Sequence, residues 1–283
     1  MYKNLILACF ACGALLQATA QSKPEPKPEA GASRSLDLDR TVITTNSVAI
    51  KGVNVPYRAV TGTIPVWDNE NKPIAGVFFT YYERTDVKDK DSRPLVISFN
   101  GGPGTSAVWM EIGYTGPRIL KVDDEGYPIQ PYGMKDNPNS ILDVADILYV
   151  DPVNTGFSRM ANKDVDRGQF FGVNEDIRYL AEWINTFVSR YKRWASPKFL
   201  IGESYGTTRV SGLALELQNA QWMYLNGVVL VSPTELGIER SGPVEAALRI
   251  PYFAATAWYH KNRRPICKAK TWSRCCPKWR LSP

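Results

Sequence analysis

Cysteine is missing from the body of this 283-residue chain. The five cysteines are Cys9 and Cys12 near the start and Cys267, Cys275 and Cys276 near the end. Nothing between Gln21 and Lys261 can therefore form a disulfide, which excludes a disulfide-stapled fold for that body. The adjacent pair Cys275 and Cys276 lacks the spacing of a metal site, and neither metal nor cofactor is expected. Histidine is almost absent too: His260 is the single imidazole. No aspartate occurs beyond position 204. Long apolar runs are also scarce. Leu5 to Leu16 is too short for a spanning helix, and no later stretch is long enough, so no membrane span is expected. The net charge of +6 is local. Residues 262–283 carry seven cations and no acid, which leaves the rest of the chain at −1. A nucleic-acid partner inferred from overall charge would rest on that tail alone, and none is expected.

What is present fits one large globular domain, with 44% hydrophobic and 22% charged residues. Residues 1–20 read as a signal peptide. Lys3 supplies the positive start, Leu5 to Leu16 the apolar stretch, and Ala18-Thr19-Ala20 the small-residue cleavage site. Export to the periplasm or beyond is expected. Residues 21–39, rich in Pro, Lys and Glu, read as a flexible spacer.

Residues 40–236 carry the periodic signals. From Arg40 to Glu83 they are β-type. Val48 to Tyr57 and Ile74 to Tyr82 are rich in β-branched and aromatic residues, and Asp68-Asn69-Glu70-Asn71 reads as a hairpin turn. Beyond Lys88 the pattern changes. Short apolar strands are expected at Leu95–Phe99, Val144–Val150, Phe199–Ile201 and Gly227–Val231. A helix with Asn174 as N-cap, Glu175 and Asp176 in its first turn, and an apolar stripe of Ile177, Leu180, Ala181, Ile184, Phe187, Val188 and Tyr191 falls between the second and third. Another helix, Val210 to Leu217, falls between the third and fourth. The alternation predicts an α/β fold: a mostly parallel, doubly wound sheet with an N-terminal antiparallel β region.

Two glycine-rich turns carry the chemistry. Gly202-Glu203-Ser204-Tyr205-Gly206 spells G-x-S-x-G between an apolar strand and a helix, the nucleophile elbow of an α/β-hydrolase. Asn100-Gly101-Gly102-Pro103-Gly104 also ends a strand. Acyl transfer needs backbone N–H groups aimed at the developing oxyanion, and Gly102 and Tyr205 are placed to supply them. A plain strand–helix turn at the first motif and a plain tight turn at the second are the structural alternatives.

These two motifs, with Asp151-Pro152-Val153-Asn154-Thr155-Gly156-Phe157-Ser158 between them, resemble the serine carboxypeptidase family, most closely its bacterial branch. The resemblance covers roughly Pro94 to Lys261. It implies hydrolysis of C-terminal peptide bonds through a Ser204 acyl-enzyme, with peptide or protein C-termini as substrate. It also implies an oxyanion hole of Gly102 and Tyr205, and carboxylate binding by Asn100, Gly101 and Glu203. Two departures stand out. Thr105 replaces a cysteine frequent in the family. Tyr114-Thr115-Gly116-Pro117 stands where many members have a glutamate just before a Gly-Pro, which pairs with the one beside the serine, and Glu111 is the candidate substitute.

The family's catalytic Asp and His lie far beyond the serine, past a cap insertion. Residues 237–261 resemble the start of that cap, and the sequence ends before either residue, so the chain as written is expected to be inactive. From Asn262 the composition turns abruptly to Arg, Lys, Cys and Trp. A frame change at about codon 262 is the expected cause, and one synonymous back-translation read two bases downstream gives an acidic amphipathic string. The rival is a genuine basic tail for an anionic surface. Other readings remain: a minimal triad of Ser204, Glu235 and His260 in an esterase-like hydrolase, or a non-catalytic peptide-binding protein.

Overall fold

A computed structural model describes residues 37–234 and 242–260. The expected signal peptide, nearly all of the spacer, Glu235 and the basic tail lie outside the described residues.

The first three strands form an antiparallel meander: β1 (Thr41–Ile50), β2 (Val53–Trp67) and β3 (Pro73–Arg84). The stretch Val48 to Tyr57, read from sequence as one β-rich run, is folded back on itself. Lys51 and Gly52 take positive φ (49° and 81°), as a two-residue hairpin requires. β-branched residues continue on both sides of Gly52, so composition alone did not mark the reversal. The second turn falls at Asp68–Asn71. The Asp68 carboxylate accepts the N–H groups of Glu70 and Lys72 at 2.9 and 2.8 Å.

The chain then builds the parallel part. The remaining strands are β4 (Leu95–Phe99), β5 (Arg118–Leu120), β6 (Met134–Asp136), β7 (Asp146–Val150), β8 (Arg159–Met160), β9 (Lys198–Glu203) and β10 (Gly227–Val231). The main sheet runs β1-β2-β3-β7-β4-β9-β10, with β8 beside β3. Strands β7, β4, β9 and β10 are mutually parallel, and β5 pairs with β6 apart from the main sheet. The architecture is an α/β-hydrolase sheet, antiparallel at its N-terminal edge.

Alternate residues serve opposite faces of the sheet. Ile97, Leu148 and Leu200 meet α1 (Val173–Arg190) and α2 (Tyr205–Gln221), which lie side by side on one face. Ile147, Tyr149 and Ile201 meet Ala107, Met110 and Leu142 on the other. That second face is covered by the segment between β4 and β7, which includes a single π-helical turn at Met110–Thr115. In α1, Leu180, Ala181, Ile184, Phe187 and Val188 are buried, the stripe read from sequence. Its start differs by one position. Gly172 is the N-cap, and Asn174 is an exposed residue of the first turn. The Glu175 carboxylate folds back over Gly172, where a Cβ would fall 1.8 Å from Oε2.

At the entry end of the parallel strands the fully buried Asp146 carboxylate accepts from Arg93 Nε at 2.7 Å and Arg193 Nη1 at 2.6 Å. The helix α3 (Pro243–Tyr259) buries none of its residues. No described helix is long and apolar enough to cross a membrane.

Candidate active site

The elbow forms where β9 passes directly into α2. Ser204 sits between them at φ 55° and ψ −124°, a sparsely populated conformation that the surroundings must enforce. Its N–H donates to Val231 O on β10 at 3.0 Å. Its carbonyl accepts the Thr207 hydroxyl at 2.6 Å. The bend brings Gly202 against Gly206, where a Cβ on Gly202 would stand 2.2 Å from the Gly206 carbonyl oxygen. Ser204 Oγ is partly exposed and has no hydrogen-bond partner among the described residues.

Beside it runs the loop leaving β4. A Cβ on Gly101 would lie 2.7 Å from both Ser204 Cβ and Tyr205 N, so only a bare backbone fits there. Gly102 follows at φ 109°. The structure thus brings Gly101 to the elbow that holds Ser204 and Tyr205, with Gly102 next in the loop.

Asn100 is buried, and both ends of its amide are bonded. Its Oδ1 accepts the Met110 N–H at 2.9 Å and its Nδ2 donates to Glu203 Oε2 at 3.2 Å. Glu111 lies one residue past Met110 and accepts the Tyr82 hydroxyl at 2.7 Å. Burial pushes the Glu111 carboxyl up to about 7, helped by the nearby charge of Asp151 and opposed by the Tyr82 bond. No hydrogen bond joins Glu111 to Glu203 among the described residues.

Two clefts flank the elbow. One of 600 Å³ is bounded by Trp109, Ile112, Tyr114, Leu120, Pro128 and Glu203. The other, of 340 Å³, is bounded by Pro103, Asn154, Phe171, Val173 and Tyr205, with Asp176 and Arg209 also in its wall. The third motif braces this neighbourhood. Asp151 Oδ1 accepts the Ala107 N–H at 2.9 Å, and Ser158 Oγ donates to the Asp151 carbonyl at 2.6 Å. Burial raises the Asp151 carboxyl above its ordinary value, against the pull of the Ala107 and Phe157 N–H groups that donate to it.

His260 is not part of the elbow's hydrogen-bond network among the described residues. It caps the C-terminal end of α3, is exposed, and sets its ring edge-on to Tyr259 at 5.0 Å. No hydrogen bond joins it to Ser204. Sequence reasoning passed over Arg209 entirely and read Asp176 only as a first-turn acid. Arg209 stands between Thr208 and Val210 in a mixed polar and apolar stretch of α2, so no periodic signal marked it as buried.

An open-edged α/β sheet with a serine raised on a strand–helix elbow at its carboxyl end defines an α/β-hydrolase scaffold. The sequence profile of the serine carboxypeptidase family matches residues 51–235, and the chain belongs to that family. Serine carboxypeptidase-like 36 of Arabidopsis thaliana is 29% identical over 230 residues, covering 75% of this chain and 44% of that protein. Serine carboxypeptidase S10 family member 1 of Dictyostelium discoideum is 30% identical over 156 residues, covering 54% of this chain and 34% of its own length. Among solved structures, a prohormone-processing carboxypeptidase from Saccharomyces cerevisiae shares the fold, with a TM-score of 0.51 at 20% identity. That match covers 77% of this chain and 51% of the yeast chain. The chain spans less than half the length of these two curated relatives.

Proposed function

We propose that this chain carries the nucleophile half of an exported serine carboxypeptidase. Ser204 Oγ attacks the carbonyl of a C-terminal peptide bond, and the N–H groups of Gly102 and Tyr205 receive the oxyanion. Asn100, the Gly101 backbone and Glu203 hold the terminal carboxylate. Glu111, bonded to Tyr82, stiffens the turn from which Met110 fixes Asn100. The apolar 600 Å³ cleft beside Glu203 receives the side chain of the residue to be released. Two carboxyl groups hydrogen-bond directly only when one carries a proton, so binding strengthens toward acid pH. The signal-like residues 1–20 support export to the periplasm or the medium. The observation that carries the reading is the contact of Gly101 backbone with Ser204 and Tyr205.

Turnover needs a base for the Ser204 proton. His260 is the one imidazole in the sequence, and Glu235 precedes it in the chain order of a hydrolase triad. A second reading, peptide binding without turnover, is favoured by the unpartnered Ser204 Oγ and the exposed His260. Loss of a triad base costs on the order of 10⁶ in turnover, so the two readings separate cleanly.

The test is fluorophosphonate labelling of the purified chain, followed by calorimetry with a peptide and its C-terminal amide. Labelling at Ser204 that vanishes in His260→Ala supports a working triad. No labelling, with the peptide bound and the amide rejected, supports the binding protein. Equal affinity for peptide and amide would sink the carboxylate site in both readings.

A further inference from the structure

One guanidinium touches both segments that flank the proposed oxyanion site. Arg209 lies in α2, 1% exposed. Its Nη1 donates to the Asn100 carbonyl oxygen at 2.9 Å. That oxygen belongs to the peptide unit shared with Gly101, so the bond fixes the plane from which the glycine loop departs. The same guanidinium carbon lies 5.3 Å from the centre of the Tyr205 ring and 5.7 Å from that of Phe99. Its Nε donates to Asp176 Oδ2 at 2.7 Å. Asp176, on α1, also takes the Tyr179 hydroxyl at 3.4 Å, and that hydroxyl accepts the Val153 N–H at 3.0 Å. The end of β4, α2, α1 and the loop from Pro152 are thus tied at one point.

We propose that Arg209, aimed by Asp176, is a positioning residue that sets the Gly101–Gly102 loop and Tyr205 for the oxyanion. This rests on the oxyanion assignment made above. A buried ion pair is rarely the best way to fill a core, because apolar side chains of equal volume usually match or exceed its stability. What the pair adds is direction. A planar guanidinium delivers bonds along fixed lines and stacks on a ring at the same time. Lysine keeps the charge and loses both properties.

The experiment compares wild type with Arg209→Lys and with the apolar double variant Arg209→Met/Asp176→Leu, using residue-resolved amide exchange on the full chain. In Arg209→Lys, exchange at Thr105 and Met110, whose N–H groups donate to the Gly101 carbonyl and to Asn100 Oδ1, is expected to rise about tenfold or more, while Ile97 and Leu200 in the strands keep wild-type protection. The double variant is expected to recover thermal stability without recovering loop protection. A peptidyl boronate, whose tetrahedral adduct on Ser204 mimics the anion, is expected to bind Arg209→Lys at least about tenfold more weakly. The matching free peptide, which shares the Gly101 backbone contact but does not call on the oxyanion donors, should lose less affinity than the boronate.

Exchange that rises equally in the strands and the loop, or does not change in either, overturns the proposal. So does a double variant that restores loop protection. A wild-type chain that takes up no boronate sinks the hydrolase reading alone, and the exchange pattern still decides the role of Arg209.

Discussion

Gly101 and Ser204 are in backbone-to-side-chain contact: a Cβ added to Gly101 would stand 2.7 Å from the Cβ of the serine. Everything the elbow can do depends on that gap staying empty. Gly101→Ala must push β4's loop away from α2, and overpacking of this kind costs about 1–3 kcal/mol. In a domain of this size that lowers Tm by about 2–4 °C per kcal/mol. Gly104→Ala is the control, because a Cβ there meets nothing within 4 Å. Calorimetric scans should show a drop for Gly101→Ala and none for Gly104→Ala.

Glu111 gives the fold a pH dependence of definite sign. Burial raises its carboxyl from 4.5 to about 7 in the folded chain. The folded state therefore holds a proton that the unfolded state releases. The stabilisation is complete below about pH 4.5 and is lost as pH climbs through 7. Urea melts from pH 4.5 to 7.5 should show a decline on the order of 3 kcal/mol attributable to this group. Glu111→Gln should flatten that decline. Tyr82→Phe, by deleting the bond that favours the ionised form, should move it to higher pH.

Asp146 neutralises two guanidinium groups in a closed environment. Asp146→Asn keeps the shape and removes the charge, leaving Arg93 and Arg193 opposed without a counter-ion. Breaking a buried pair in this way costs about 3–5 kcal/mol. A chain that melts within about 2 °C of wild type would contradict the assignment.

Gly113 borders the 600 Å³ cleft, and a Cβ added there meets nothing within 4 Å. Gly113→Trp should therefore fold normally and fill part of the cleft proposed to receive substrate. Peptides ending in a large apolar residue should lose affinity by about tenfold or more, while peptides ending in glycine lose little. Calorimetry with a matched pair of peptides checks this. Equal losses for both would point to a general disturbance of the elbow.

The signals that sequence carries well are local ones. Strands β4, β9 and β10 were legible as short apolar runs, and α1 as a 3.6-residue stripe. Both glycine motifs were legible because a bend that tight admits few side chains. Contacts that join distant segments left no trace. Tyr82 meets Glu111 across 29 positions and Arg209 meets Asn100 across 109. Neither pair has a spacing that a single sequence reveals. The Lys51–Gly52 reversal was hidden for another reason: two strands of like composition meet there with one glycine between them. At α1 the folded-back Glu175 allowed a glycine to take the cap, and a rule based on side-chain acceptors favoured Asn174.

Asn100 has a hand. Its oxygen is committed to Met110, so the face it turns to Glu203 carries hydrogens and nothing else. The amide works as a keyed connector that fits one way round. Aspartate has the same outline but two equivalent oxygens, and would set lone pair against lone pair where the wild type sets donor against acceptor. Alanine leaves the Met110 N–H without a mate, and glutamine overshoots. Three separate stretches of backbone, the end of β4, the turn at Met110 and the approach to the elbow, are held in register by a part with no near substitute. A tolerance scan of this position should accordingly read as a vocabulary of one.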